Sequence, residues 1–155
     1  MEQDTVNTNK KLDLTNDQLE IIEDAIRATF KQGKRAGSVD EEGNFGCLYR
    51  GDEGTKCLLG HMIPDSEYKG SFDEQVVGVS YVIAAVPTLS FVFTGDVTYR
   101  TRNQLEILQG CHDGATGGNF KLGLIINIKD NIEKGLLSKQ LNKVVDELKK
   151  EYEAS

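Results

Sequence analysis

The side chains best suited to chemistry fall into two short stretches of the chain, residues 47–68 and 108–113. These stretches hold all three cysteines and both histidines of the 155-residue sequence, namely Cys47, Cys57, His61, Cys111 and His112. Thiols and imidazoles serve as nucleophiles, proton carriers and ligands for soft metal ions. Their concentration in two places predicts that the two stretches pack together and form one site.

A metal centre is the first chemistry that these side chains suggest. Structural zinc takes four ligands in a tetrahedron, and the best set here would be Cys47, Cys57, His61 and His112. Nine residues separate the two cysteines and three more precede the histidine, a spacing that matches no common zinc motif. We therefore expect no bound metal and no cofactor, with the cysteines packed as small apolar side chains.

Cysteine-based catalysis is the second candidate. Cys111 and His112 are adjacent, and neighbouring side chains on a helix point about 100° apart, so they cannot pair as thiolate and imidazolium. A pairing of Cys47 or Cys57 with His112 across the fold stays open, and a metal- or thiol-dependent enzyme using these three residues is the alternative function. His112-Asp113 is similar to the His-Asp pair of metal phosphohydrolases, which need more histidines than this chain has. The end of a helix, where His112 favours the last carbonyl groups, explains the dipeptide better.

The charge of the chain limits the partners that it can bind. The formal net charge is −7, whereas binding along a nucleic-acid backbone needs a clustered excess of Lys and Arg. We therefore expect no extended nucleic acid as a partner. A small anion can still bind in a locally basic pocket, for which the candidate cations are Lys34, Arg35, Arg50, Lys56, Arg100 and Arg102.

The anion expected in such a pocket is nucleotide-like. Guanidinium groups form bidentate bonds to phosphate, and an aromatic ring beside them can stack on a base. The expected ligand-binding residues are Tyr49, Arg50, Lys56, Arg100, Arg102, His112 and Asp113. Arg50 should make contact together with at least one of the other three cations. The alternative is that these cations pair with surface acids such as Asp52, Glu53 and Asp96.

The compartment expected from the sequence is the cytoplasm. The first residues are polar and do not resemble a signal peptide. The longest apolar stretch, residues 76–93, is interrupted by glycine, serine, threonine and proline, so we expect no membrane span. Three cysteines, an odd number, indicate free thiols in a reducing environment rather than a disulfide framework.

The amino-terminal third predicts one long helix. Residues 1–13 are typical of a disordered polar lead, and residues 14–155 of a single globular domain. Thr15 begins a helix through a capping box with Gln18. Gly33 is placed to end that helix.

A β-hairpin is expected in the middle of the chain. Residues 33–46 are rich in glycine and acids and predict a loop. Residues 45–50 resemble a strand, followed by a turn signal. Residues 56–63 are ambiguous. They form either the returning strand of a hairpin, which we favour, or a short helix with Cys57 and His61 on one face.

The remainder of the chain is expected to be largely helical. Residues 80–93 fit a short helix or a buried strand, while Thr101, Asn119 and Ser138 are placed to cap three further helices. The last helix carries the apolar stripe Leu141, Val144, Val145, Leu148 and Tyr152. This stripe should dock on its own domain or pair with a second copy, and a homo-oligomer stays open. The fold class expected is α+β, a mainly helical single domain with a small hairpin.

An ordered set of short motifs resembles a group of small uncharacterised proteins encoded by bacteriophages and prophages. The set is Cys47-x-Tyr49-Arg50, Lys56-Cys57-x-x-Gly60, Ile63-Pro64-Asp65, Tyr68 and Leu108-Gln109-x-x-His112-Asp113. It covers roughly residues 45–113, and this chain departs from the pattern in a longer apolar stretch between residues 73 and 94. The resemblance implies an accessory protein of the bacterial cytoplasm. The expected function is non-catalytic binding that inhibits or sequesters a host component, either a defence protein or a nucleotide-like signal.

Overall fold

The computed structural model describes residues 12–75, 77–93, 99–116 and 118–155, with the side chains of residues 99 and 100 outside this description. The helices are α1 (Asn16–Gln32), α2 (Leu58–Met62), α3 (Ser71–Glu74), α4 (Val79–Ala85), α5 (Pro87–Phe93), α6 (Tyr99–Asp113), α7 (Phe120–Glu133) and α8 (Asn142–Ala154). The strands are β1 (Gly37–Val39) and β2 (Phe45–Cys47), and 3₁₀ turns cover Asp52–Gly54, Asp65–Glu67 and Lys139–Leu141. The expected fold class, a mainly helical α+β domain with one small hairpin, is confirmed for the described residues.

Helix α1 forms the centre of the core, and its ends are set by local sequence. The side chain of Thr15 accepts a hydrogen bond from the Gln18 backbone N–H, while the Gln18 side chain accepts one from the Thr15 N–H, which is the predicted capping box. Gly33 ends the helix with φ 76°, a left-handed conformation that glycine adopts without steric cost. The apolar face of α1 packs on α2, α5 and α8.

The hairpin is present, but one of its predicted strands was wrong. Strand β2 pairs antiparallel with β1, which precedes it, in the register Gly37 to Cys47 and Val39 to Phe45. Strand β1 lies inside the segment predicted as a loop. The close pairing depends on glycine there, since a Cβ at Gly37 would collide with the Gly46 carbonyl oxygen.

Residues 56–63 form helix α2 instead of the expected returning strand. Cys57 caps this helix, since its Sγ accepts a hydrogen bond from the Gly60 N–H at 3.2 Å. Of the expected strand pairing, the described residues keep a single bridge between Arg50 and Lys56. Residues 80–93, left open between helix and strand, are covered by α4 and α5.

The later helices begin close to the predicted residues. Asn119 caps α7 through its side chain, and Ser138 caps the 3₁₀ turn that leads into α8. Thr101 was expected as a cap, but it lies inside α6, which already includes Tyr99. The stripe of α8 is buried against its own domain, as the residues Leu141, Val144, Val145 and Leu148 are at most 5% exposed. Pairing with a second copy stays a prediction.

A buried glutamine of α6 ties the first described residue to the rest of the fold. Gln104 donates a hydrogen bond to the Leu12 carbonyl at 3.0 Å and accepts one from the Ser138 N–H at 2.8 Å. Leu12 is buried, although it was assigned to the polar lead, and residues 1–11 of that lead lie outside the described residues. None of the described helices combines the length and apolar character that a membrane crossing requires.

Candidate functional site

The two stretches predicted to form one site pack against each other at the end of α6. The Leu59 N–H donates to the side chain of Gln109 at 3.0 Å, which joins α2 to α6. The side-chain atoms of Cys47, His112 and Asp113 that could bind a metal ion all lie within 4.8 Å of one another. The structure therefore brings the hairpin, α2 and the carboxyl end of α6 to one place.

His112 is the fully buried centre of this junction, with 0% of its surface exposed. Its Nε2 accepts a hydrogen bond from the Ala36 N–H at 3.2 Å, so the ring proton is on Nδ1, which lies 2.7 Å from Asp113 Oδ1. The Nε2 bond thus ties the residue before β1 to the end of α6, while the Nδ1 bond fixes the ring on its own helix. The predicted contact of His112 with helix carbonyl groups is not what holds this ring.

This hydrogen-bonded ring is poorly suited to a metal. A metal on Nδ1 would require the ring proton on Nε2, where the Ala36 N–H already points, and two donors would then face each other in the core. The close set is also not the predicted one, because Asp113 takes the place of Cys57 and His61. The Cys57 side chain instead accepts the hydrogen bond that caps α2.

Asp113 is the charged group of the junction. Burial raises the pKa of Asp113, but hydrogen bonds from His112, Cys47 and Gln109 outweigh burial and hold that pKa below its usual value. Burial, followed by the Asp113 charge and hydrogen bond, raises the pKa of the Cys47 thiol, against a smaller lowering by Arg35. Cys47 is exposed but is not activated as a thiolate.

The other two thiols are less reactive still. Burial raises the pKa of Cys57 to about 12 and that of Cys111 to about 11. Both are free and buried, and the Sγ of Cys111 accepts a hydrogen bond from the Asn131 side chain at 3.5 Å. His112 cannot serve either thiol as a base, because both of its ring nitrogens bond elsewhere.

A cavity of about 170 Å³ lies beside this junction. Its described lining includes the carboxylates Asp73 and Asp113 and contains no lysine, arginine or histidine; the lining residues are Cys47, Leu48, Tyr49, Cys57, Phe72, Asp73, Val77, Gln109 and Asp113. We call it the acidic cavity. Both carboxylates affect Tyr49, which lies in the wall of this cavity. Burial first, and then the charges of Cys57, Asp73 and Asp113, raise the pKa of Tyr49 to about 12.

Asp73 is the residue of this site that the sequence did not reveal. Its carboxylate accepts hydrogen bonds from the Tyr49 N–H at 2.7 Å, the Arg50 N–H at 3.1 Å and the Tyr68 hydroxyl at 2.6 Å. Its partners lie five to 24 residues away along the chain, so no local motif marks it. Tyr49 was predicted at the site and its ring hydroxyl donates to the Val77 carbonyl.

The predicted anion-binding cations divide into separate groups. Arg50 and Lys56 meet at one oxygen of Asp65, at 2.7 and 3.4 Å, and the Arg50 guanidinium also stacks on the Tyr68 ring at 4.5 Å. This matches the alternative of pairing with a surface acid, although the acid is not one of the three named. Arg102 is exposed on α6, and the Arg100 side chain lies outside the described residues. Ligand contact by these residues stays a prediction.

His61 stands apart from the junction. Its Nε2 is buried, as is Nε of Arg50, and among the described residues neither atom has a hydrogen-bond partner. Burial first, and then the positive charges of Lys56 and Arg50, lower the pKa of His61 to about 4.

Comparisons with known proteins give no relative for this architecture. No family model matches the chain, and neither the curated proteins nor the solved structures contain a significant match.

Proposed function

We propose that this protein is a non-catalytic binding protein that inhibits or sequesters a host component by holding a basic side chain of a protein partner in the acidic cavity. The observation that carries this proposal is the pair of carboxylates, Asp73 and Asp113, in a cavity whose described lining contains no positive side chain. Two fixed negative charges in one small cavity favour a cation.

The size and surface of the cavity favour a side chain over a small-molecule ligand. Its volume of about 170 Å³ is below the roughly 300–1,000 Å³ of pockets for drug-sized molecules. Part of the cavity wall is apolar and is formed by Cys57, Phe72 and Val77. Lysine and arginine combine an apolar stem with a charged tip, and the net charge of −7 attracts a basic surface from a distance.

Binding rather than catalysis is supported by the state of the reactive groups. The thiols have raised pKa values and His112 has no free ring nitrogen. The resemblance of residues 45–113 to phage-encoded proteins supports a bacterial host protein as the partner. A nucleotide-like signal is the other partner class expected from the sequence.

The test is a calorimetric titration with a lysine-rich peptide and its norleucine counterpart. Asp113→Asn keeps an oxygen for His112 and Gln109 but removes the charge, whereas Asp146→Asn removes an exposed charge that pairs with Lys129 outside the cavity. The lysine peptide should bind the wild type and Asp146→Asn alike, and Asp113→Asn about tenfold more weakly or worse. Equal binding of the norleucine peptide, or no loss in Asp113→Asn, would exclude the proposal.

A further inference from the structure

A second cavity, of about 390 Å³, lies near the end of α1 and the start of α7. Its described lining includes Lys34, Arg35, Phe45, Ala115 and Phe120, and no aspartate or glutamate side chain is among the described lining residues. We call it the basic cavity. Two cations without an acid in the wall are notable in a chain of net charge −7.

Local sequence places both cations at this cavity. Gly33 turns the chain sharply at the end of α1 with φ 76°, and the next two residues are Lys34 and Arg35. Lys121 of α7 lies above this turn, since its Cε would be 3.3 Å from a Cβ at Gly33, and its ammonium group stacks on the Phe30 ring at 4.9 Å. A third positive charge therefore lies close to the cavity.

Arg35 is held in position yet keeps donors for a ligand. Its guanidinium lies 4.3 Å from the ring centroid of Phe45, and its Nη1 donates a long hydrogen bond of 3.5 Å to the Asp113 carbonyl. It also reaches the Cys47 thiol. A guanidinium has five N–H donors, so these contacts leave capacity for a bidentate bond to an anion. Lys34 pairs with Glu53, and both side chains are more than half exposed, which makes that pair weak.

We propose that the basic cavity binds a small organic anion that carries a planar aromatic ring, such as a nucleoside phosphate. Arg35 and Lys34 would hold the anionic group. The rings of Phe45, which is 40% exposed, and Phe120 offer apolar surface for the planar group. The volume lies within the roughly 300–1,000 Å³ range of small-molecule pockets, unlike that of the acidic cavity.

The experiment titrates the full chain with adenosine monophosphate, adenosine and inorganic phosphate by calorimetry, and maps the site by amide NMR. Adenosine monophosphate should bind more tightly than either fragment, more weakly as salt is raised, and with shifts centred on Arg35 and Phe45. Arg35→Gln should weaken binding by about tenfold or more. Phe45→Leu keeps an apolar side chain but removes the ring, so it should weaken the binding of adenosine monophosphate more than the binding of inorganic phosphate.

The matched control is Arg27→Gln, which removes a positive charge from α1 outside the cavity, where Arg27 pairs with Asp24 and Glu147. It should leave binding unchanged. The proposal is overturned by equal losses in Arg27→Gln and Arg35→Gln, by shifts centred on Arg50 and Lys56, or by no binding at about 1 mM ligand. A failure here is distinguishable from a failure of the proposed function, because the lysine-peptide test uses a different ligand and compares Asp113→Asn with Asp146→Asn in chains that keep Arg35.

Discussion

The acidic and basic cavities are both lined by residues of strand β2 but hold their charges differently. Each carboxylate of the acidic cavity accepts three hydrogen bonds from the framework: Asp73 from two backbone groups and Tyr68, and Asp113 from three side chains. Arg35 of the basic cavity stacks on one ring and donates one long bond to a backbone carbonyl. The two carboxylates are therefore held by several hydrogen bonds within the fold, whereas the basic side chains are held by few and are at least partly exposed.

This difference follows from the cost of removing charge from water. A buried carboxylate is stable only with hydrogen bonds or an opposite charge, so the acidic cavity joins the hairpin, α3 and α6 through its own charged groups. The partly exposed guanidinium of Arg35 keeps part of its hydration and needs fewer such partners. Substitutions should therefore affect stability and binding together at the acidic cavity, and binding alone at the basic one.

The largest effect is expected from His112→Ala. The change removes a fully buried ring and leaves the Ala36 N–H without its acceptor. It also leaves the Asp113 carboxylate without its hydrogen bond from His112. A loss of about 3 kcal/mol in the free energy of unfolding is expected from the cavity and the unsatisfied donor together. Urea unfolding measures it, with His61→Ala as the control. A loss below about 1 kcal/mol would show that the junction does not hold the hairpin.

Asp73→Ala should have the next largest effect. Three donors lose their acceptor, two of them the backbone N–H groups of Tyr49 and Arg50. We expect a loss of about 2 kcal/mol in the free energy of unfolding, while Asp146→Ala, at an exposed ion pair, should cost less than about 1 kcal/mol. Similar losses for the two variants would remove the distinction between framework and surface charge.

The features that the sequence predicted correctly depend on neighbours within a few residues. The capping box of Thr15 and Gln18, the glycine end of α1 and the Asn119 cap of α7 each involve residues at most four positions apart. Strand pairing is not local. Strands β1 and β2 have three residues each, too few for an alternating pattern, and so the wrong partner was chosen for β2.

The candidate site was only half predictable for the same reason. Its titratable residues stood out by type, and their two stretches do meet at the Leu59–Gln109 bond. The role of each residue depends on pairings across the fold: His112 with Ala36, 76 positions away, and Asp73 with Tyr49, 24 positions away. Cys57 as a helix cap was missed because cysteine is not a typical cap residue.

A pH dependence of stability should arise from His61 on α2 and not from the basic cavity. His61 lies on α2, which Cys57 caps, and its pKa is lowered to about 4, first by burial and then by nearby cations. Since the unfolded chain binds the proton more readily, with a pKa near 6.5, stability should be full above that value and fall as the pH drops towards 4. Melting curves between these limits measure the fall. In His61→Gln the melting temperature should depend less on pH. An unchanged pH dependence would mean that other groups cause the fall.

The smallest effect on stability is expected from Arg35→Gln, the variant that should abolish most of the anion binding. The change removes a cation–aromatic contact with Phe45 and a 3.5 Å hydrogen bond, both at a partly exposed position. Contacts of this kind contribute about 0.5–1 kcal/mol, so the free energy of unfolding should fall by less than about 1 kcal/mol, well below the loss in Asp73→Ala. Urea unfolding of the two variants beside the wild type makes the comparison. A loss in Arg35→Gln as large as that in Asp73→Ala would show that Arg35 belongs to the framework, because its bonds to Cys47 and to the Asp113 carbonyl would then hold the hairpin on α6.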